Sequence, residues 1–256
     1  MIPKPFILHH KIIGKGYPVV FLHGFLENGT MWNNIIPKLP NVQAIIMDLP
    51  GHGKSPLHHH SPLSLPLIAD AVKTTLTSLH VDHFSIVGHS LGGYVALHLA
   101  EDKTLTIDKL VLLHSHPWAD SDKKKGDRNR TINIVKYNKS LFINEAIPQL
   151  YYEKHREKFK KEIQEGINDA NEMDELAIVQ TLGALRNRED KTEVLQYKKE
   201  KLHIIQGEFD HLIDTVSIQN LAVQAENHFH LIKNIGHMGH IEATDQVVQY
   251  LRNVLG

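Results

Sequence analysis

Residues 84–100, FSIVGHSLGGYVALHLA, indicate a buried strand, a glycine-rich turn and a helix in immediate succession. The turn matches the pattern G-x-S-x-G from Gly88 to Gly92 and puts Ser90 where the strand meets the helix. The glycines let neighbouring backbone approach without Cβ clashes. The pattern therefore predicts that the Ser90 hydroxyl stands above the carboxyl end of a strand, at the positive end of a helix dipole. The alternative is a Gly/Ser turn with no catalytic role.

Short apolar runs alternate with helical patterns on both sides of this turn. Runs that are apolar at consecutive positions are typical of strands buried on both faces, which belong in a parallel sheet covered by helices. Right-handed crossovers then predict a doubly wound, mostly parallel sheet of the α/β class. The predicted strands are residues 6–13, 18–22, 42–47, 84–87, 110–113, 202–206 and 228–232, and the predicted helices are residues 30–39, 65–79, 91–100, 215–225 and 243–255.

The alternation of predicted strands and helices stops after Pro117. Residues 119–196 are charged, carry helical patterns and contain no clear apolar strand. We therefore expect a core domain made of residues 1–118 and 197–256, interrupted by a helical cap inserted at residues 119–196. A polar run opens the insertion at residues 120–130, and helices are predicted at residues 131–142, 144–151, 155–167 and 172–185.

His23-Gly24-Phe25 follows the predicted strand PVVFL directly. A serine nucleophile that attacks a carbonyl creates an oxyanion, which backbone N–H groups stabilise; losing one donor raises the barrier by about 3–4 kcal/mol. One donor should be the amide of Leu91, the residue after the nucleophile, and the other the amide of Phe25. Taken alone, residues 23–25 would be an ordinary turn at the end of a strand.

A catalytic acid and a general base are predicted in two later loops. Asp210 lies in GEFD after the strand LHIIQ, whereas Asp214 fits better as a helix N-cap and Glu208 is a third candidate acid. His237 lies in GHMGH after the last predicted strand, and His240 is its competitor at the entry of the final helix. The candidates follow the chain order Ser, Asp, His, each after a predicted strand.

Composition narrows the function classes. The 256 residues carry a formal net charge of −1, which gives no basic excess for binding nucleic acid. There is no cysteine, so disulfides and thiolate nucleophiles are excluded, and no HExxH pattern supports a metal site. The run His58-His59-His60 is expected to be a solvated loop rather than a metal site. Without a signal peptide or membrane span, we expect a cytoplasmic protein, either a monomer or a homodimer.

Five sequence blocks resemble the α/β-hydrolase superfamily over nearly the whole chain: HGF, DLPGHGKS (residues 48–55), GHSLGG, GEFD and NIGHMGHIE. The insertion resembles the helical cap of that superfamily. The stretch ALRNREDKTEVL is similar to the segment that leads back to the sheet in enol-lactonase-like and carboxylesterase-like members. The resemblance implies a Ser90–Asp210–His237 triad that cleaves an ester or related acyl bond of a small molecule, with no cofactor.

Other activities remain open. Dehalogenases and epoxide hydrolases of the superfamily use an aspartate at the position of Ser90, so the serine argues against both. Thioesterases, lactonases, amidases and carbon–carbon bond hydrolases share the Ser-Asp-His set, and the fold does not choose among them. Some proteins of this fold are non-catalytic small-molecule binding modules.

The insertion should decide the substrate because it covers the site. If Arg128 or Arg130 turns inward, its guanidinium could bind an anionic acyl group; the alternative is a solvated surface. His114 and Trp118 follow the strand LVLL, so we expect them near the carboxyl end of the sheet. Both could line the acyl pocket, although a structural role is the alternative for His114.

Overall fold

The computed structural model describes residues 6–57 and 62–256, so the His58-His59-His60 run lies outside the described residues. Over these ranges one seven-stranded sheet forms the centre of the molecule, in the order β1-β3-β2-β4-β5-β6-β7. β1 pairs with β3 in antiparallel fashion, and all other neighbours are parallel. The strands are β1 His10–Ile13, β2 Tyr17–Leu22, β3 Val42–Met47, β4 His83–His89, β5 Thr106–Leu113, β6 Leu202–Gly207 and β7 His228–Ile232.

Ten helices surround or interrupt the sheet within the described ranges. Helices precede, connect and follow the parallel strands, which confirms the predicted α/β fold class. The helices are α1 Leu65–Ser78, α2 Leu91–Leu99, α3 Asp122–Tyr137, α4 Lys139–Gln149, α5 Lys160–Asn171, α6 Glu175–Arg186, α7 Thr192–Lys198, α8 Thr215–Gln224, α9 Gly239–Glu242 and α10 Thr244–Leu255. No helix in this part of the chain has the length and apolar character needed to span a membrane.

Each central strand separates two apolar layers. In β2, Val20 and Leu22 belong to one layer, and Val19 and Phe21 belong to the other. All four side chains are fully buried, because successive residues of a strand point to opposite faces and helices cover both faces. α1, α2 and α8 cover the first layer, and α10 covers the second.

Residues 30–39 do not form the predicted helix. Two short 3₁₀ turns, Gly29–Trp32 and Ile36–Lys38, occupy the segment instead. Pro37 lacks a backbone N–H, so a continuous α-helix would lose a hydrogen bond and clash with the preceding turn. The apolar face was predicted correctly, since Trp32, Ile35, Ile36 and Leu39 are all buried. The first strand is also shorter than expected and is confined to His10–Ile13.

The segment between β5 and β6 holds five helices, α3 to α7. The polar run at residues 120–130 was not assigned to a helix from the sequence, yet it forms the first turns of α3. The predicted helix at 131–142 is two helices that meet at Asn138, whose side chain accepts a hydrogen bond of 2.9 Å from the Leu141 amide. Asn138 therefore ends one helix and caps the next.

The inserted helices α3, α4, α5 and α6 have an apolar cluster of their own. Leu26 and Met238, from loops at the edge of the sheet, also belong to this cluster and fasten the insertion to the sheet. α7 differs, because Val194 and Leu195 are buried in a sheet layer. By its packing, α7 therefore belongs with the sheet, although it lies within the predicted insertion.

Candidate active site

Ser90 lies at a sharp turn between β4 and α2. Its backbone has φ 47° and ψ −110°, a conformation that is strained for a residue with a side chain. The Ser90 amide donates to the carbonyl of Leu113 at 3.0 Å, which fixes the turn to β5. A Cβ on Gly92 would lie 2.5 Å from the carbonyl oxygen of Leu22, and a Cβ on Gly88 would lie 2.4 Å from that of Gly92. The glycines are therefore required because backbone passes so close.

Asp210 and His237 meet after β6 and β7. Nδ1 of His237 donates to Oδ2 of Asp210 at 2.7 Å, and both side chains are buried. Although burial opposes its charged form, contacts with His237 and His114 hold the pKa of the Asp210 carboxyl well below its usual range. A carboxylate only accepts hydrogen bonds, so Nδ1 carries the proton and Nε2 of His237 is left as the basic nitrogen.

The loop that carries His237 is anchored to the insertion. The His237 amide donates to the carbonyl of Leu150 at 2.7 Å. The amide of Gly236 donates to Oε1 of Glu242 at 2.9 Å, and the other oxygen of Glu242 accepts from His155 at 2.9 Å. These bonds connect the candidate base with both the last helices and the insertion.

His114 is placed differently from the prediction. Its side chain is fully buried and does not line the cavity next to Ser90. Nδ1 of His114 lies 3.2 Å from Oδ2 of Asp210, which makes it a second donor to that carboxylate. Burial lowers the pKa of His114 to about 4, so the ring is neutral at physiological pH. His114 is therefore a second hydrogen-bond partner of Asp210 and is absent from the cavity lining.

The competing acids and the competing base have other partners. Asp214 caps α8, where it accepts from the amide of Ser217 at 2.9 Å. Glu208 accepts from the amide of Asn234 at 2.9 Å. His240 is buried with its Nε2 at 3.4 Å from Oε1 of Glu27. None of the three contacts the Asp210–His237 pair by a hydrogen bond in the described structure.

A cavity of about 450 Å³ lies between the edge of the sheet and the insertion. Ser90 and His237 both line it, although no hydrogen bond joins the hydroxyl to the imidazole within the described ranges. Such contacts often tighten only when substrate binds. The apolar part of the cavity is covered by side chains of the insertion, namely Phe142, Ala146, Leu150, Leu182 and Leu185.

The backbone amides of Phe25 and Leu91 have no hydrogen-bond acceptor among the described residues. Leu91 is the first residue of α2, where helix geometry leaves amides without partners. Phe25 lines the cavity, whereas the preceding amide of Gly24 donates to Oε2 of Glu27 at 2.8 Å. Both predicted oxyanion donors are thus unengaged.

Positive charge is concentrated on one wall of the cavity. Lys124, Arg128 and Arg188 line it, and the buried carboxylate of Asp120 pairs with both arginines. Lys124 has no acidic partner among the described residues, and Nζ donates to the carbonyl of Leu212 at 3.3 Å. Burial, followed by repulsion from Arg188, lowers the pKa of Lys124. The wall therefore carries more cations than anions.

Two residues that were proposed to line the substrate pocket lie elsewhere. Arg130 is exposed on α3 and pairs with Asp127, so only Arg128 of the two arginines faces the cavity. Trp118 is outside the cavity lining, and its ring lies against His116 with 5.0 Å between centroids. Helix periodicity separates the arginines, because residues two positions apart on a helix face different directions.

Several cavity residues were missed from the sequence. Tyr94 follows Ser90 by four residues on α2, a spacing that puts both on one helix face and could have been noticed. Arg188 belongs to the block ALRNREDKTEVL, but nothing in its spacing indicates burial. The contact of Glu27 with His89 joins positions far apart in the chain and carries no sequence signal.

Two groups of acid and imidazole side chains have candidate ligand atoms within 4.8 Å of one another: Glu27, His89 and His240, and His114, Asp210 and His237. Hydrogen bonds from imidazole nitrogens to one carboxylate occur in both groups. Both groups are therefore clusters in which imidazole rings are hydrogen-bonded to a carboxylate.

Comparison with known proteins supports the fold. A family model described as the alpha/beta hydrolase fold matches residues 17–131. A thermophilic esterase from Thermogutta terrifontis superimposes with a TM-score of 0.89 at 24% identity, covering 97% of this chain and 92% of the esterase.

Two curated relatives show the range of activities. The pimeloyl-[acyl-carrier protein] methyl ester esterase of Aeromonas hydrophila is 36% identical over 105 residues, which are 41% of this chain and 40% of that enzyme. The 2-succinyl-6-hydroxy-2,4-cyclohexadiene-1-carboxylate synthase of an Enterobacter species is 24% identical over 248 residues, which are 94% and 92% of the two chains. The first relatives by similarity are matched over only 34% to 46% of their own length.

The sheet order, the turn at Ser90 and the helices inserted after β5 agree with these matches. The chain therefore has the α/β-hydrolase fold.

Proposed function

We propose that the protein is a cofactor-independent serine hydrolase that cleaves a carboxylic ester of a small molecule. One observation carries the proposal: Ser90 and His237 line the same cavity at the carboxyl ends of the strands, and buried Asp210 accepts a hydrogen bond from His237. Open α/β sheets bind their ligands at this edge. The two unengaged amides of Phe25 and Leu91 add the donors that an oxyanion requires.

In the proposed mechanism, Nε2 of His237 takes the Ser90 hydroxyl proton while Oγ attacks the ester carbonyl carbon. The amides of Phe25 and Leu91 hold the oxyanion of the tetrahedral intermediate. Asp210 stabilises the imidazolium, which then protonates the leaving alcohol and leaves an acyl-enzyme. Water, deprotonated by the same nitrogen, attacks the acyl carbonyl; the carboxylic acid leaves as the proton returns to Oγ.

A fluorophosphonate probe tests the nucleophile directly, because it reacts with an activated serine without knowledge of the substrate. We expect labelling of the wild-type protein and none of Ser90→Ala. Ser217→Ala is a matched control, because Ser217 is exposed on α8 outside the cavity lined by Ser90. If the folded wild-type protein is not labelled, a non-catalytic binding module of the same fold is the better interpretation.

His237→Ala tests the base. Removal of one triad member lowers turnover by several orders of magnitude in serine hydrolases, so activity should fall by about 10⁴-fold or more. Near wild-type turnover in the folded variant would refute the assignment. A panel of nitrophenyl esters, thioesters and lactones would then separate the proposed esterase from thioesterase or carbon–carbon hydrolase activity on the same residues.

A further inference from the structure

Glu27 and His89, the residue before Ser90, form a second acid–histidine pair. Nδ1 of His89 lies 2.6 Å from Oε2 of Glu27, and Nε2 lies 3.1 Å from the carbonyl oxygen of His237. The side chain of His89 is 2% exposed and that of Glu27 is 11% exposed. The pair therefore connects the loop after β2 with the loop that carries the candidate base.

The partners of His89 determine its charge. A carboxylate and a backbone carbonyl both accept hydrogen bonds and neither donates one. Each ring nitrogen must therefore carry a proton, so His89 is an imidazolium paired with the Glu27 carboxylate. Burial opposes this charge, but Glu27 and the carbonyl of His237 outweigh it and raise the pKa of His89.

The pair contacts three segments that carry the proposed machinery. Oε2 of Glu27 also accepts from the amide of Gly24, the residue before the Phe25 amide. His89 is the residue before Ser90, and its ring holds the backbone of His237 itself. A Cβ on Gly24 would lie 2.3 Å from Oε2 of Glu27 and 2.7 Å from Nδ1 of His89, so only glycine leaves room for the pair.

We propose that Glu27 and His89 are positioning residues, an ion pair at neutral pH that holds the Phe25 amide, Ser90 and the His237 loop in their reactive arrangement. The proposal rests on the proposed hydrolase function for its kinetic consequence, but the charge of His89 is independent of any activity. Small errors in placement of reacting groups are costly, since about 1 Å can reduce a rate by about 100-fold. Glu27 and His89 line the cavity next to Ser90, but their hydrogen bonds are made to each other and to the backbone of Gly24 and His237. The pair should therefore affect turnover more than substrate binding.

Other groups face His89 and contribute to its titration. The carboxylates favour its charged form, whereas a second charged imidazole nearby would oppose it. His237 and His240 are the nearest rings, with centroids 5.1 Å and 5.0 Å from that of His89. The ionisable groups around His89 are Glu27, Asp210, His23, His114, His237 and His240.

The charge of His89 can be measured without a substrate. In ¹⁵N-labelled wild-type protein at neutral pH, both ring nitrogens of His89 should give the similar shifts of a protonated imidazolium, assigned by loss of the signals in His89→Gln. Two well-separated shifts, one from a bare nitrogen, would overturn the proposal whether or not the protein is an enzyme.

Glu27→Gln tests the positioning role. The amide preserves shape but removes the negative charge, so His89 should become neutral at neutral pH. We expect kcat to fall by roughly 10- to 100-fold while KM changes by less than about threefold. Glu165→Gln is the matched control, because Glu165 is an exposed residue of α5 paired with Lys161, and it should leave both constants unchanged.

The pH profile separates positioning from mere stability. The wild-type kcat should decline at alkaline pH with the midpoint at which His89 loses its proton by NMR. In Glu27→Gln this decline should move to lower pH, because the anion that favours the imidazolium is gone. An unshifted profile, or a KM effect as large as the kcat effect, contradicts the proposal. Absence of fluorophosphonate labelling in the wild type would instead refute the hydrolase function and leave the NMR result intact.

Discussion

The edge of the sheet and the inserted helices surround the same cavity, but they are built differently. At the sheet edge, Ser90 and Asp210 follow strands whose residues are buried on both faces, and close backbone approach fixes the turns. The insertion consists of helices with one apolar face, held by a separate cluster and by two side chains from the sheet loops. Under the proposed function, we expect the first region to determine the chemistry and the second to determine which molecules reach it.

This difference predicts separable effects. Changes at the sheet edge should lower kcat for every substrate, because they affect reacting groups. Changes in the insertion should alter the ranking of substrates, because its side chains line the rest of the cavity. A set of variants, taken from the largest expected effect to the smallest, can contradict or refine this division.

Asp210→Asn should produce the largest effect. The amide no longer favours a proton on Nδ1 of His237, so Nε2 loses its role as base, and kcat should fall by about 10³- to 10⁴-fold. Asp214→Asn is the control at a neighbouring acid, where only the cap of α8 is affected. Steady-state kinetics with a single ester suffice, and a loss smaller than tenfold for Asp210→Asn would place the catalytic acid elsewhere.

Two core substitutions compare the stability of the regions. Leu112 in β5 and Ile143 in α4 are both fully buried, and truncation of either to alanine should lower the free energy of unfolding by about 2–5 kcal/mol. We expect Leu112→Ala to be the more destabilising, because the tightly packed sheet closes a cavity less readily than the smaller helical cluster does. Denaturant titration measures both, with exposed Ile134→Ala in α3 as control. A greater loss for Ile143→Ala would reverse this ranking.

Acid should destabilise the sheet edge through its buried histidines. Burial lowers the pKa of His52 to about 3, below the ordinary 6.5, so the folded protein keeps the ring neutral. The neutral ring of His52 contributes fully to the free energy of unfolding above pH 6.5. This contribution is lost as the pH falls toward 3, at about 1.4 kcal/mol per pH unit. Between pH 6.5 and 5, the free energy of unfolding of the wild-type protein should therefore fall by about 2 kcal/mol more than that of His52→Gln. Chemical denaturation at several pH values tests this, and equal slopes in both proteins would refute it.

The charged wall of the cavity should give the smallest effect. Lys124→Met should lower kcat/KM for an ester that carries a carboxylate by about tenfold relative to a neutral ester. Lys125→Met removes the same charge from a residue outside the cavity lining and should not change the ratio. Arg128→Gln and Arg130→Gln form a second matched pair for the same assay. Unchanged preference in both Lys124→Met and Arg128→Gln would show that the wall does not select acidic substrates.

Strands of the sheet could be predicted closely because no other secondary structure fits their apolar runs as well. Residues 42–47 and 228–232 were placed at the bounds that the structure shows, since a short apolar run between polar turns fits a buried strand best. The candidate residues Ser90, Asp210 and His237 could be predicted for the same reason, because each directly follows such a strand. Their convergence on one cavity follows from parallel strands ending at one edge.

The insertion was harder to predict because exposed helices leave weak periodicity. The polar run at residues 120–130 forms the start of α3, whose buried residue is Val135, so the segment has little apolar periodicity to indicate a helix. The inward position of Arg128 and the outward position of Arg130 depend on how α3 rotates against α6, which local sequence does not encode. For a related reason the sequence did not decide whether the side chains of Trp118 and His114 face the cavity, since a strand end fixes where a residue lies but not which way its side chain turns.

The sequence by itself determined the order of the strands along the chain, the turn that presents Ser90 and the chain order of the candidate acid and base. Those features depend on local patterns of apolar residues and glycines, which act within a few positions. Only the tertiary structure decided that His114 contacts Asp210, that Asp120 pairs with two arginines and that Glu27 pairs with His89. Each of these contacts joins groups whose ionisation depends on burial and on neighbours brought close by folding, and such interactions leave no trace in the linear sequence.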